Sequence, residues 1–131
     1  MDIRERPITE TRMIVCGGVH FDDYETLKNK LDQLIANYEN VTLVSGHAKG
    51  ADTLAEKYAA ENRIPIKVFP AEWTKYGKAA GPIRNRAMLE YAMEKTPVVV
   101  AFWNGESRGT GNILSQARKV GAECHVFLYE D

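Results

Sequence analysis

"PVVVAFWNGESRGTGNILSQARKVG", residues 97–121, passes from an unbroken apolar run, through a polar loop holding Gly105, Gly109 and Gly111, into apolar residues at helical spacing that stop at Gly121. A strand with one wet face alternates apolar and polar residues; an unbroken run belongs to a strand covered on both faces. A strand of that kind followed at once by a helix is half of a βαβ unit. The same order repeats outward from it. "RMIVCGG" (12–18), "VTLVSG" (41–46), "IPIKVFP" (64–70) and "ECHVFLYE" (123–130) read as strands. Between them, "DDYETLKNKLDQLIANY" (22–38), "ADTLAEKYAAEN" (51–62) and "IRNRAMLEYAMEK" (83–95) read as helices. The alternation predicts one α/β domain over residues 12–131, Rossmann-like and doubly wound, its five-stranded parallel sheet flanked by helices. Residues 1–11 are expected to form a flexible N-terminal segment.

The chain has 131 residues, 44% of them hydrophobic and 27% charged, which suits a single globular domain able to bury a core. Seventeen Lys and Arg stand against eighteen Asp and Glu, for a net charge of −1, so no global electrostatic footprint for DNA is present. No apolar run reaches membrane-spanning length, and no membrane partner is expected. Cys16 and Cys124 fall in strands without a metal-ligand spacing; they read as reduced, buried residues of a cytoplasmic protein. His20 and His47 lie in loops that could meet, without a carboxylate at metal spacing, so no metal is expected.

In a doubly wound sheet, ligands bind beyond the carboxyl ends of the strands, at the point where strand order reverses. The loops at those ends are unusually rich in glycine and polar residues. They hold Gly17, Gly18 and His20; Ser45, Gly46, Lys49, Gly50 and Asp52; and Gly109, Thr110 and Gly111. Glycines let backbone approach a ligand, and the open amides of a following helix attract anions, so these loops are candidate phosphate cradles. Neither fits the dinucleotide or nucleotide-triphosphate loop patterns. Asp52 is either a helix-terminus carboxylate or a partner for a ribose hydroxyl or loop amide. In "AGPIRNRAML" (80–89) the Gly-Pro step is read as the entry to a helix that turns Arg84 toward the strand ends. The planar Arg84 guanidinium, beside Asn85, is the main candidate anion ligand, whereas Arg86 reads as solvated. Trp73 and Tyr76 are base-stacking candidates, with core closure the alternative for Trp73.

The ordered set "GGVHFDD", "SGHAKGADTLAEKYA", "FPAEWTKYGKAAGPIRNRAML" and "VVAFWNGESRGTGNILSQA" resembles the small SLOG-type proteins related to YspA. That Rossmann-like superfamily also includes DprA/Smf and the LOG phosphoribohydrolases. The resemblance implies a nucleotide or nucleotide-derived ligand at the strand ends and a ligand-binding or sensor role; Rossmann-like proteins of this size often pair helices across a two-fold axis, so a homo-oligomer is an expectation from the fold. The enzymatic alternative in the resemblance is a nucleotide N-glycoside hydrolase, with Arg84 and Asp52 as catalytic candidates. Two departures stand out. Val19 and His20 follow the first diglycine where similar proteins carry an arginine, a role His20 would have to take. Asn112 and Ile113 follow the Gly-Thr where LOG-type enzymes place a glutamate, so a carboxylate such as Asp52 or Glu72 would have to come from another loop.

Overall fold

A computed structural model describes residues 9–131; the flexible segment expected at the N-terminus falls mainly outside them. The strands are β1 (Thr11–Gly17), β2 (Val41–Ser45), β3 (Ile66–Val68), β4 (Thr96–Trp103) and β5 (Glu123–Leu128). The helices are α1 (Tyr24–Ile35), α2 (Ala51–Glu61), the single turn α3 (Trp73–Tyr76), α4 (Ala80–Met93) and α5 (Arg108–Lys119). All strand pairings are parallel and the spatial order is β3-β2-β1-β4-β5. This is the expected five-stranded Rossmann-like α/β sheet. The chain winds outward from β1 to β3, then returns across the sheet to β4, so order reverses between β1 and β4.

The two-residue side-chain period of a strand sorts the central residues into two cores. Met13 and Val15 of β1, with Val98, Val100 and Phe102 of β4, pack against Leu27 and Leu31 of α1 and Ala51, Ala55 and Tyr58 of α2. Ile14 and Cys16, with Val99 and Ala101, face Met88, Leu89 and Ala92 of α4 and Ile113, Leu114 and Ala117 of α5. Each fully buried side chain of this size stabilises by about 1.5–3 kcal/mol, which explains why the apolar run of β4 had no polar member to spare. Asp23 caps α1, accepting the Thr26 amide at 3.1 Å and the Thr26 hydroxyl at 2.6 Å.

Three boundaries differ from the sequence reading. β1 opens at Thr11, which is buried, inside the segment expected to be flexible. β3 is three residues long, not seven. The helix expected from Ile83 begins at Ala80 and contains Gly81 and Pro82. Proline has no amide to lose in a first turn, so the Gly-Pro step lies within the helix rather than before it. Arg84 and Asn85 therefore sit in the second turn of α4. Cys16 and Cys124 are both free, in β1 and β5; Cys16 is buried as expected, whereas Cys124 is only half-buried. No helix among the described residues is long and apolar enough to cross a membrane.

Candidate functional site

Among the described residues five polar or charged ones are buried, and four of them, Ser45, Asp52, Asn85 and Thr110, gather at the carboxyl ends of the strands. Buried polar groups are costly unless partnered, so their hydrogen bonds define the site. The Asn85 amide donates to the Gly109 carbonyl at 3.2 Å and to Asn112 Oδ1 at 3.0 Å, tying α4 to the start of α5. Its own Oδ1 accepts from Arg84 Nε at 3.0 Å. Arg84 Nη1 donates to the Gly46 carbonyl in the loop after β2. Two of the guanidinium's nitrogens are thus anchored on protein, which fixes the plane of the group and leaves its remaining N–H bonds available. A Cβ at Gly46 would lie 2.5 Å from Arg84 Nη1 and 2.9 Å from Asp52 Oδ2, so only glycine allows both to close on that loop.

Asp52, in the first turn of α2, accepts the Ala48 amide at 3.2 Å. Burial pushes its carboxyl up from 3.8 to about 6, with the Ala48 amide and Arg84 pulling the other way. The folded value lies above the unfolded one, so the folded state binds this proton more tightly. The stability it contributes is complete below about pH 4 and is lost as pH rises through about 6. Asp52→Asn is therefore expected to gain on the wild type between pH 4 and pH 7, by up to about 3 kcal/mol at 1.36 kcal/mol per pKa unit. Urea melts at the two pH values measure it; an equal difference at both would mean that Asp52 ionises normally.

Asp52, Arg84, Asn85 and Thr110 line a cleft of about 500 Å³ at the β1/β4 reversal. Of the residues singled out in the sequence, Gly17, Asp52, Trp73, Arg84, Asn85, Gly109 and Thr110 line it. Among the lining residues Asp52 is the one carboxylate, whereas Lys78, Arg84 and Arg108 are all basic. The first amides of α5 open here too: the helix's own bonding begins with Gly111 N–H to the Ser107 carbonyl, at 3.0 Å, leaving the preceding turn's donors outside that ladder. Trp73 is 60% exposed at the cleft's edge, so it does not close the core. The Cys16 thiol is also in the lining, but burial and Asp52 hold it well above its ordinary range, which keeps it a protonated, packing group.

Other candidates lie elsewhere. His20 lines a separate, more acidic cleft with Asp22, Asp23 and Glu130, apart from the lining that holds Arg84. Nor does it meet His47, whose ring faces Glu56 at 2.9 Å. Ser45 is buried beneath the loop, and Lys49 points to solvent. Gly18 packs under Tyr129, Gly50 against Gly18, and Gly111 beside Trp103. Tyr76 is on the surface with Lys75 5.0 Å from its ring centre. Arg86 is exposed and paired with Glu90 at 3.0 Å, as its solvated reading implied. Glu72 precedes the exposed α3, makes no side-chain capping bond there and lies outside the lining. The sequence reading passed over Lys78, Ser107 and Arg108, although the last two stand in the quoted glycine loop, and it passed over Glu56. No group of three or more His, Cys, Asp or Glu among the described residues is arranged to hold a metal ion.

Comparison with known proteins bears on the same strand-end loops. A family model described as YAcAr, the YspA, cpYpsA-related SLOG family, matches residues 11–76, which include the loops after β1 and β2 but end before Arg84. The Gene 61 protein of Mycobacterium phage D29 is 30% identical over 116 residues, covering 84% of this chain and 90% of that protein. Among solved structures, DNA processing protein A (DprA) from Streptococcus pneumoniae superposes with a TM-score of 0.49 at 19% identity. That superposition covers 88% of this chain and 58% of the other.

Proposed function

We propose, for a chain that belongs to the YspA, cpYpsA-related SLOG family, that the β1/β4 cleft binds a nucleotide or nucleotide-derived ligand and that the protein serves as a ligand-binding module or sensor. The observation that carries this reading is the convergence, in one cleft, of an anchored guanidinium, the open amides of a helix start and a single buried carboxyl. In this reading a phosphate takes the Arg84 guanidinium and the amides of residues 108–110, where fixed donors and the helix dipole favour an anion. Asp52 faces a sugar hydroxyl rather than the phosphate, and the exposed Trp73 ring offers a face to the base. The proposed partner is a small molecule met in the cytoplasm.

A thermal-shift panel of AMP, ADP, NAD, ADP-ribose, cyclic nucleotides and a short single-stranded oligonucleotide tests it. A ligand at about 100 times its dissociation constant adds roughly 2.7 kcal/mol, or about 5–15 °C for a domain of this size. Absence of any shift across the panel, in folded protein, would remove the nucleotide reading; a shift confined to the oligonucleotide would redirect it to nucleic acid.

A second reading, N-glycoside hydrolysis, is favoured by Asp52 being both in the cleft and held near pH 6, where a carboxyl can pass protons. Water would add across the sugar–base bond, its hydroxyl going to the sugar carbon and its proton to the departing base. Chromatography of long incubations is expected to show free base with wild type and at least a hundredfold less with Asp52→Asn. Intact nucleotide throughout leaves the binding module alone.

A further inference from the structure

Arg84 and Asp52 both depend on the loop after β2, and they touch it on either side of a single residue. Arg84 holds the carbonyl of Gly46, and Asp52 holds the amide of Ala48. Between them His47 has φ +60°, the left-handed conformation that a residue with a Cβ adopts at a cost of about 1–2 kcal/mol. Something must hold it there. The His47 amide donates to Ser45 Oγ at 3.1 Å, and the His47 ring Nδ1 meets Glu56 Oε2 at 2.9 Å and Oε1 at 3.0 Å. Ser45 Oγ in turn donates to Glu56 Oε2 at 2.9 Å. One carboxylate thus collects both side chains that restrain the left-handed turn. Glu56 lies one helical turn beyond Asp52 on α2, so the same helix carries the cleft's carboxyl and the group that fixes its partner loop.

We infer that Glu56, which does not line the cleft, is a positioning residue: through Ser45 and His47 it sets the loop that aims Arg84 and Asp52. The spacing at Gly46, where neither Arg84 nor Asp52 leaves room for a Cβ, means that a small rotation at His47 displaces both at once. Without the carboxylate, His47 relaxes toward negative φ, the Gly46 carbonyl turns away from Arg84, and the guanidinium loses one of its two protein anchors. The inference uses the same cleft as the nucleotide reading and rests on it only for the effect on affinity.

The decisive measurement needs no ligand. In 15N spectra of the unliganded protein, the Arg84 Nη1–H signal, whose donor holds the Gly46 carbonyl, is expected to be sharp and slow to exchange in wild type. Glu56→Ala should broaden it and move it toward the position of solvent-exposed arginines, while the midpoint of thermal unfolding falls by only a few degrees. Glu56→Gln, which keeps a carbonyl acceptor for Ser45, should restore part of the signal. Adding His47→Gly to Glu56→Ala should also restore part of it, because glycine takes φ +60° without a restraint. Affinity for AMP should follow the same order, at least tenfold weaker in Glu56→Ala. An Arg84 signal unchanged in Glu56→Ala overturns the inference, whatever AMP does. A perturbed and rescued signal with no AMP binding by wild type upholds it and removes the nucleotide reading instead. If Glu56→Ala does not fold, the Glu56→Gln spectrum decides: an Arg84 signal identical to wild type overturns it.

Discussion

Arg84→Ala is expected to abolish the nucleotide-induced thermal shift and to weaken binding by about two orders of magnitude or more. Truncating one member of a buried, hydrogen-bonded charge pair costs roughly 2–5 kcal/mol, and every 1.4 kcal/mol is tenfold in affinity. The effect should be specific to this side chain because its geometry is built twice over. Nε is held by Asn85 and Nη1 by the Gly46 carbonyl, so the guanidinium pays little entropy on meeting an anion. Arg84→Lys keeps the charge but cannot make both anchors, and should fall between wild type and alanine. Arg86→Ala is the control: that guanidinium is exposed and engaged with Glu90, and its loss should leave binding unchanged. Titration calorimetry on the three variants separates these outcomes. A wild-type shift in Arg84→Ala would place the anion elsewhere.

The largest effect on stability is expected at Gly50. Its φ of +83° and ψ of −127° suit glycine alone, and a Cβ there would meet the Gly18 carbonyl oxygen at 2.2 Å and the Val19 carbonyl carbon at 2.7 Å. Both obstacles are backbone, held in place by the Ala51 amide bonding to Gly18 at 3.3 Å. Gly50→Ala is therefore expected to destabilise by about 3 kcal/mol or more, lowering the unfolding midpoint by about 10 °C. Gly105 provides the comparison, with φ +84° but nothing within 4 Å of an added Cβ. Gly105→Ala should suffer the conformational strain alone, about 1 kcal/mol. Urea melts of both variants give the difference, which measures how tightly α2 is seated on the loop after β1. Equal losses would show that this seating yields.

Much of this architecture was legible in the sequence because burial on two faces leaves a strong trace. Val98, Val99 and Val100 admit no wet face, so β4 had to be central, and the alternation with helices then dictated a parallel sheet. Gly17, Asp52, Arg84, Asn85, Gly109 and Thr110 were legible as site candidates from their position at strand ends, which topology brings to one edge. What escaped was whatever depends on direction rather than position. His20 and Gly17 are three residues apart yet serve different clefts, since the chain turns at Gly18. Gly81-Pro82 reads as a boundary in a linear pattern, whereas a helix tolerates proline throughout its first turn. Glu56 looks like any solvent-facing residue of an amphipathic helix. Only the left-handed turn at His47, which no spacing rule announces, gives its carboxylate a task.

Cys16 and Gly17, which line the cleft, end the β1–β4 pairing that joins Thr11 to Thr96 and Gly17 to Phe102. Partners so distant along the chain meet late, because a long loop must close before their contacts repay it. A growing polypeptide that has formed β1, α1, β2, α2 and β3 already possesses Gly17, Asp52 and the His47 turn, yet it has neither the guanidinium on α4 nor the amides of α5. The proposed cleft is consequently complete only when α4 and α5 have been added, and a chain ending after β3 is expected to show no nucleotide-induced thermal shift.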